Sequence, residues 1–305
     1  MICTYSHAQT IKKFYDWKWE ECDVSLARFF STITHTDSGW LRKDYFLSTK
    51  KLQMKGLFED SACKSKNGDF IYYYASGHYS SMGRYENNKK QGLWLSYHYN
   101  GMMKDSMTYE RDVPVGLTLG WYSNGIISDS STYEKGGKGI QVNWFDNGSP
   151  SVTGRYLDFK KQGKWQYFHK NGKLASLETY DKGELVSKTY FDENGKQLPD
   201  TSNVDRDALF KGGVAKWKKY LDKNIAWPIK VRLVNTESIT IVVAATIDEE
   251  GKMVDVHLET AFHPEFDEIA LDCIKRSPVW EPAVSHNRKV RMKFRQPLTF
   301  IQVEF

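Results

Sequence analysis

The sequence predicts a mainly β chain: an antiparallel array of β-hairpins followed by a small α+β domain. Three observations carry this reading. Aromatic residues make up 14% of the chain and Gly outnumbers Pro by 22 to 8, a mixture that favours strands and tight turns. The dipeptide Asn-Gly recurs every 23–24 residues through the middle of the chain. Beyond it the pattern changes, and helical spacing alternates with period-two stretches down to the C-terminus.

Composition narrows the function. A length of 305 residues accommodates two domains. The 43 basic and 38 acidic residues leave a net charge of +5 spread along the chain. No basic patch is concentrated anywhere, so nucleic acid is not an expected partner. No run of about 18 apolar residues occurs, so no membrane-spanning segment is expected.

Residues 1–8 end in Ser6, His7 and Ala8, the small-x-small form of an export-signal cleavage site. The basic and apolar regions that normally precede such a site are missing, so this reads as a truncated signal. A genuine start at Met1 would instead place the protein in the cytoplasm. Of the four cysteines, Cys3, Cys22, Cys63 and Cys273, no pair has metal-site spacing. Cys273 is expected to be a buried thiol, and a Cys22–Cys63 disulfide is open to an exported chain.

Residues 9–67 read as a β cap. Phe14–Trp19 and Ala27–Thr34 have strand composition and form an opening hairpin, and Tyr45–Phe58 is a degenerate first repeat. Residues 68–198 hold the repeats. The turn glycines are Gly77, Gly101, Gly125, Gly148, Gly172 and Gly195. Nine residues before each of the first five stands Gly68, Gly92, Gly116, Gly139 or Gly163, and eight residues after stands Tyr85, Tyr109, Tyr133, Tyr156 or Tyr180. Four before each turn glycine lies an aromatic: Tyr73, Tyr97, Trp121, Trp144, Phe168 or Phe191. Asn-Gly is expected to make a two-residue type I′ turn, and the aromatic row a ladder that holds the thin sheet together. Trp94 and Trp165 lie an odd number of residues from that row and so point to the opposite face, where they are the candidate repeat-face contacts.

The pattern from Gly163 to Leu174 resembles the variant MORN repeat of bacterial proteins. The resemblance implies a binding or scaffold surface rather than a reaction. Some members of that repeat family are described as antitoxin-like, so an immunity-type protein whose repeat sheet binds a toxin is the alternative reading.

Residues 199–209 are polar, broken by Pro199, and read as a linker. From 210 onward, Val214, Trp217 and Leu221 fall at helical spacing and Asn224 is a stop signal. Ile239 to Ile247 alternate as a strand, Asp248–Lys252 is a solvated hairpin turn, and Val254, Val256 and Leu258 return. A second helix starts near Pro264 with Phe266, Ile269, Ala270 and Cys273 on one face. In the last strand Val290, Met292 and Phe294 point inward, while Arg291, Lys293 and Arg295 share the other face. Pro297 cannot donate to a ladder, so this strand belongs at a sheet edge.

This order, with the stretches Phe210–Gly213, Asn224–Pro228, Ile247–Gly251, Phe266–Ala270, Ser277–Pro282 and Lys289–Pro297, resembles the C-terminal domain of TonB-type energy transducers of the Bacteroidetes type. The resemblance implies a periplasmic or envelope location and a protein or peptide partner, an extended segment of an outer-membrane receptor laid beside the last strand. The site it implies is Val290, Arg291, Met292, Lys293, Phe294 and Arg295. Transduction of force is not expected, because neither a spanning helix nor a Pro-rich spacer is seen in the sequence.

No nucleophile-elbow, zinc-protease, phosphate-loop or dinucleotide motif occurs, and Asp248–Glu250 and Asp267–Glu268 read as solvated surface. His98 and His169 stand where other repeats carry Tyr74, Tyr122 or Phe145, which points to packing. The chain is therefore expected to be non-enzymatic and to need no cofactor or metal.

Overall fold

A computed structural model describes residues 10–202, 204–228, 231–233 and 236–302. Cys3 and the export-like stretch Ser6–Ala8 lie outside the described residues.

Fifteen strands form one sheet in which every strand pairs antiparallel with its chain neighbours. The cap contributes β1 (Thr10–Tyr15), β2 (Phe29–Thr36), β3 (Gly39–Phe46) and β4 (Leu52–Phe58). The repeats begin with β5 (Lys66–Tyr73), β6 (Tyr79–Glu86), β7 (Lys89–Tyr97), β8 (Met103–Glu110) and β9 (Val113–Trp121). They continue with β10 (Ile127–Tyr133), β11 (Gly139–Trp144), β12 (Pro150–Leu157), β13 (Lys160–Phe168), β14 (Leu174–Asp181) and β15 (Glu184–Tyr190). The first strand is shorter than its composition predicts. Asp16 accepts from the backbone of Lys18 and Glu20, and Trp19 takes a φ of 68°, so the chain turns where the aromatic run was expected to continue.

The register explains the repeat markers. Each glycine nine before a turn lies directly opposite the tyrosine eight after it: Gly68 faces Tyr85, Gly92 faces Tyr109, and Gly163 faces Tyr180. The turns are exchanged relative to expectation. At Asn-Gly only the glycine has positive φ, 84° at Gly125, and its N–H donates to the Tyr122 carbonyl. This is a three-residue loop closed by a glycine bulge. The two-residue turns with two positive φ values are the supposed links, Asn87-Asn88, Arg111-Asp112 and Asp158-Phe159.

The asparagine has its own task. Its Oδ1 accepts from the backbone two residues on, and its Nδ2 donates to a carbonyl in the next repeat: Asn100 to Ser123, Asn124 to Asp146, Asn147 to Lys170 and Asn171 to Glu193. One residue type thus closes its own loop and ties it to the next one.

The C-terminal region contains α1 (Gly213–Asn224), β16 (Ser238–Ile247), β17 (Met253–Thr260), α2 (Pro264–Lys275) and β20 (Met292–Ile301). Between α2 and β20 lies a small hairpin absent from the sequence reading, β18 (Ala283–Ser285) with β19 (Arg288–Val290), turning at His286-Asn287. The three longer strands form a sheet of order β17-β16-β20. Helix α2 packs Phe266, Ala270, Cys273 and Ile274 into the core on one face of it. The opposite face looks onto the repeat sheet. The core is shared between the two regions, because Phe29, Phe46 and Ala75 of the repeat sheet belong to the same buried cluster as Leu258, Phe266 and Phe300.

Cys22 and Cys63 are both free thiols, so no disulfide joins them. Among the described residues, no helix is long and apolar enough to cross a membrane.

Candidate functional site

The last strand is an edge strand. Among the described residues β20 has one strand neighbour, β16, with Lys293 opposite Thr246, Arg295 opposite Ala244 and Pro297 opposite Val242. Val290, expected in this strand, instead ends β19 opposite Ala283, and the chain changes partners at Arg291. Alternation then divides the side chains. Val290, Met292 and Phe294 pack against the core cluster, and Phe294 lies edge-on to Trp217 and Trp280 at 5.9 and 5.3 Å. Lys293 and Arg295 face the repeat sheet and line a cavity of about 760 Å³ between the two regions.

The floor of this cavity comes from β8, β9 and β10, where Asp105, Gly120 and Asp129 stand in register. Asp105 accepts from Ser96 at 2.8 Å. Asp129 accepts from Ser131 at 3.0 Å and Thr118 at 3.3 Å, and burial raises its pKa. Thr246 and His257 complete the roof. Between the carboxylates, Gly120 lets Ser128 and Asp129 pack close, since a Cβ there would come within 2.9 Å of Ser128 Oγ. The result is a cleft beside a strand edge, lined by both cations and carboxylates and suited to holding an extended polar chain. Among the described residues no three His, Cys, Asp or Glu side chains are grouped to hold a metal ion.

At one end the cleft is closed by rings. His257 stacks on Tyr99 at 5.3 Å and lies edge-on to Tyr74 at 5.3 Å, while Arg295 pairs with Glu259 at 2.6 Å. Beyond them Phe29, Phe46 and Ala75 enter the shared core, and the Arg28 guanidinium lies over Phe262 at 4.7 Å.

The other end is closed by polar groups. Arg291 donates to Asp146 at 2.6 Å, lies 3.4 Å from Glu249 and sits over the Tyr122 ring at 4.5 Å. Lys170 reaches Asp146 at 2.7 Å and Glu250 at 2.9 Å. Burial opposes the charge on Lys170, yet these carboxylates together with Glu249 raise its pKa. The β18–β19 turn lies on β13 to β15. His286 stacks on Tyr167 at 3.7 Å and bonds Glu178 at 2.8 Å. Asn287 donates to the carbonyls of Ala175 and Phe191, and the buried Arg288 donates to Ser151 at 2.7 Å. Burial would raise the Glu178 carboxyl, but hydrogen bonds from His286, Tyr180 and Ser176 outweigh it and hold the pKa at about 2. Burial pulls Arg288 down to about 10.

Several expectations are corrected by these contacts. Glu249 and Asp248 are each only 5% exposed: Glu249 meets Lys170 and Arg291, and Asp248 turns inward onto the backbone N–H groups of Glu250 and Lys252. Asp267 is half-buried; it accepts from the Phe262 N–H, and partial burial raises its pKa to about 6. Trp94 and Trp165 do point away from the aromatic row, but they are 4% and 1% exposed and offer no surface to a partner. Each ring lies on a glycine of the neighbouring strand, where a Cβ would come within 2.3 Å at Gly83 and 2.1 Å at Gly154. Tyr85 and Tyr156 meet the rings edge-on, and Lys90 and Lys161 cover them. Gly83 and Gly154 fall outside the repeat markers; a glycine within a strand, opposite a bulky aromatic, was the available signal.

His98 and His169 are more than packing groups. Each reaches a carbonyl of the next repeat, Trp121 at 2.7 Å and Phe191 at 2.9 Å. Tyr74 and Tyr122 do the same through their hydroxyls. The hairpin His286–Arg288 is the part of the site that sequence reasoning missed, and Asn287 at a two-residue spacing was its only local sign.

Comparison with protein families finds a match in each region. Residues 228–301 match the family described as Gram-negative bacterial TonB protein C-terminal, and residues 161–182 match the MORN repeat variant. No curated protein matches the chain.

Proposed function

We propose that this chain, carrying a TonB-type C-terminal domain and a variant MORN repeat, is a non-enzymatic binding scaffold of the bacterial cell envelope. In this reading it works in the periplasm, and β20 receives an extended segment of a protein partner such as an outer-membrane receptor. One observation carries the proposal: among the described residues β20 has a strand on one side only, and its polar face lines the cleft. Backbone groups along a strand edge pair with an added strand, which provides affinity, and the side chains on alternate faces provide selection. Lys293 and Arg295 would meet acidic or carbonyl groups of the incoming segment. The matched families are not enzyme families, which accords with a binding role.

The test is amide NMR of the full chain, titrated with a synthetic peptide from the extended segment of an outer-membrane receptor. Signals of Met292 to Arg295 are expected to move first. Shifts confined to the repeat strands, with β20 silent, would transfer binding to the repeat sheet and favour the immunity-type alternative.

A further inference from the structure

The two regions are joined at the two ends of the cleft and separated by the cavity between them. One end is an apolar core that cannot be parted without exposing Phe29, Phe46 and their neighbours. The other is a set of directional polar contacts made by one short hairpin, by Arg291, and by Glu249 and Glu250 of the β16–β17 turn on Lys170. Buried ion pairs regain little net stability over their desolvation, unlike an apolar core of the same area. Arg288 is desolvated without an ion pair among the described residues: it is 9% exposed, its Nε has no hydrogen-bond partner among them, and its guanidinium lies over Phe145 and Tyr167.

We infer that the β18–β19 hairpin is a latch and that the apolar end is its hinge, so that the C-terminal domain opens from the repeat sheet like a jaw and admits a segment to the cleft. The inference rests on the reading of β20 as the receiving strand and adds its regulation. Arg291 stands at the junction of β19 and β20, so leaving Asp146 and Tyr122 frees the start of the receiving strand directly. The floor residues Asp105 and Asp129 would be uncovered in the same movement, while His257, held between Tyr74 and Tyr99 near the hinge, would stay in place.

Hydrogen exchange of the full chain without peptide tests the latch. Asn287→Gly keeps the turn, because Asn287 has a φ of 59° that glycine adopts freely, and removes the bonds to Ala175 and Phe191. Arg291→Met keeps the apolar stem and removes the ion pair. In the double variant, amides of Ser285 to Arg295 are expected to exchange at least about tenfold faster, with those of β2, β3 and Val243 unchanged. Equal acceleration at β2 and β3, or none anywhere, would overturn the latch. The mild Asn287→Gly variant alone should show a smaller change with the same distribution; a uniform change would mean lost stability and not a latch. Adding the receptor peptide separates the two proposals. Opening without any shift in β20 on peptide addition would overturn the binding reading and keep the latch. Peptide binding at the same rate in wild type and double variant would overturn the latch and keep the binding site.

Discussion

The two ends of the contact between repeat sheet and C-terminal domain differ in kind. Near β2 and β3, phenylalanines from the sheet join the core of the C-terminal domain, with Trp19 stacked on Phe29 at 4.1 Å. Near β13 to β15, the same domain touches the same sheet through charges, amides and one histidine on a tyrosine. Apolar contact is indifferent to pH and grows with area; polar contact is directional and depends on ionisation. The apolar end is therefore expected to hold across pH, and the polar end to change with it.

Breaking the apolar end should have the largest effect. Phe29→Ala removes a side chain that is 2% exposed, and a loss of about 3–5 kcal/mol is expected. Urea unfolding at pH 7 and pH 5 should report the same loss at both.

The polar end should respond to acid. Glu178 is ionised in the fold down to about pH 2, against an ordinary value of 4.5. Its depressed folded pKa adds stability that is complete above pH 4.5 and is lost as pH falls toward 2. The loss should be on the order of 2 kcal/mol. Stability measured by urea between pH 6 and pH 2 should show this slope, and Glu178→Gln should flatten it. An unchanged slope in the variant would assign the acid response to other carboxylates.

The smallest effect is expected at Arg288. Exchanging a buried cation that forms no ion pair among the described residues for Met should change stability by less than about 1 kcal/mol in either direction. A loss as large as that of Phe29→Ala would mean that the polar end is as strong as the apolar one, and the contrast between the two ends would disappear.

Much of the array was legible because its physics is local. A strand needs alternation, a reversal needs a residue tolerant of positive φ, and both recur in the sequence at one period. Even there the turn type was misread. Asn100, Asn124, Asn147 and Asn171 are repeated for the bond each makes to the next loop, and a single hairpin considered alone does not contain that partner. The edge position of β20 was likewise readable from Pro297, since a missing N–H is a local property.

The sequence by itself determined the order of the repeat strands and of the longer C-terminal elements, the continuous antiparallel pairing, and the division of β20 into an apolar and a basic face. Only the tertiary structure decided which faces are covered. Trp94 and Trp165 became interior because Gly83 and Gly154 lie beneath them one strand away, and Glu249 was drawn from solvent by Arg291 and Lys170. The Glu178–His286 pair joins residues 108 apart in the chain. Burial and charge pairing depend on what the rest of the fold brings within a few ångströms, and no periodicity along the chain encodes that distance.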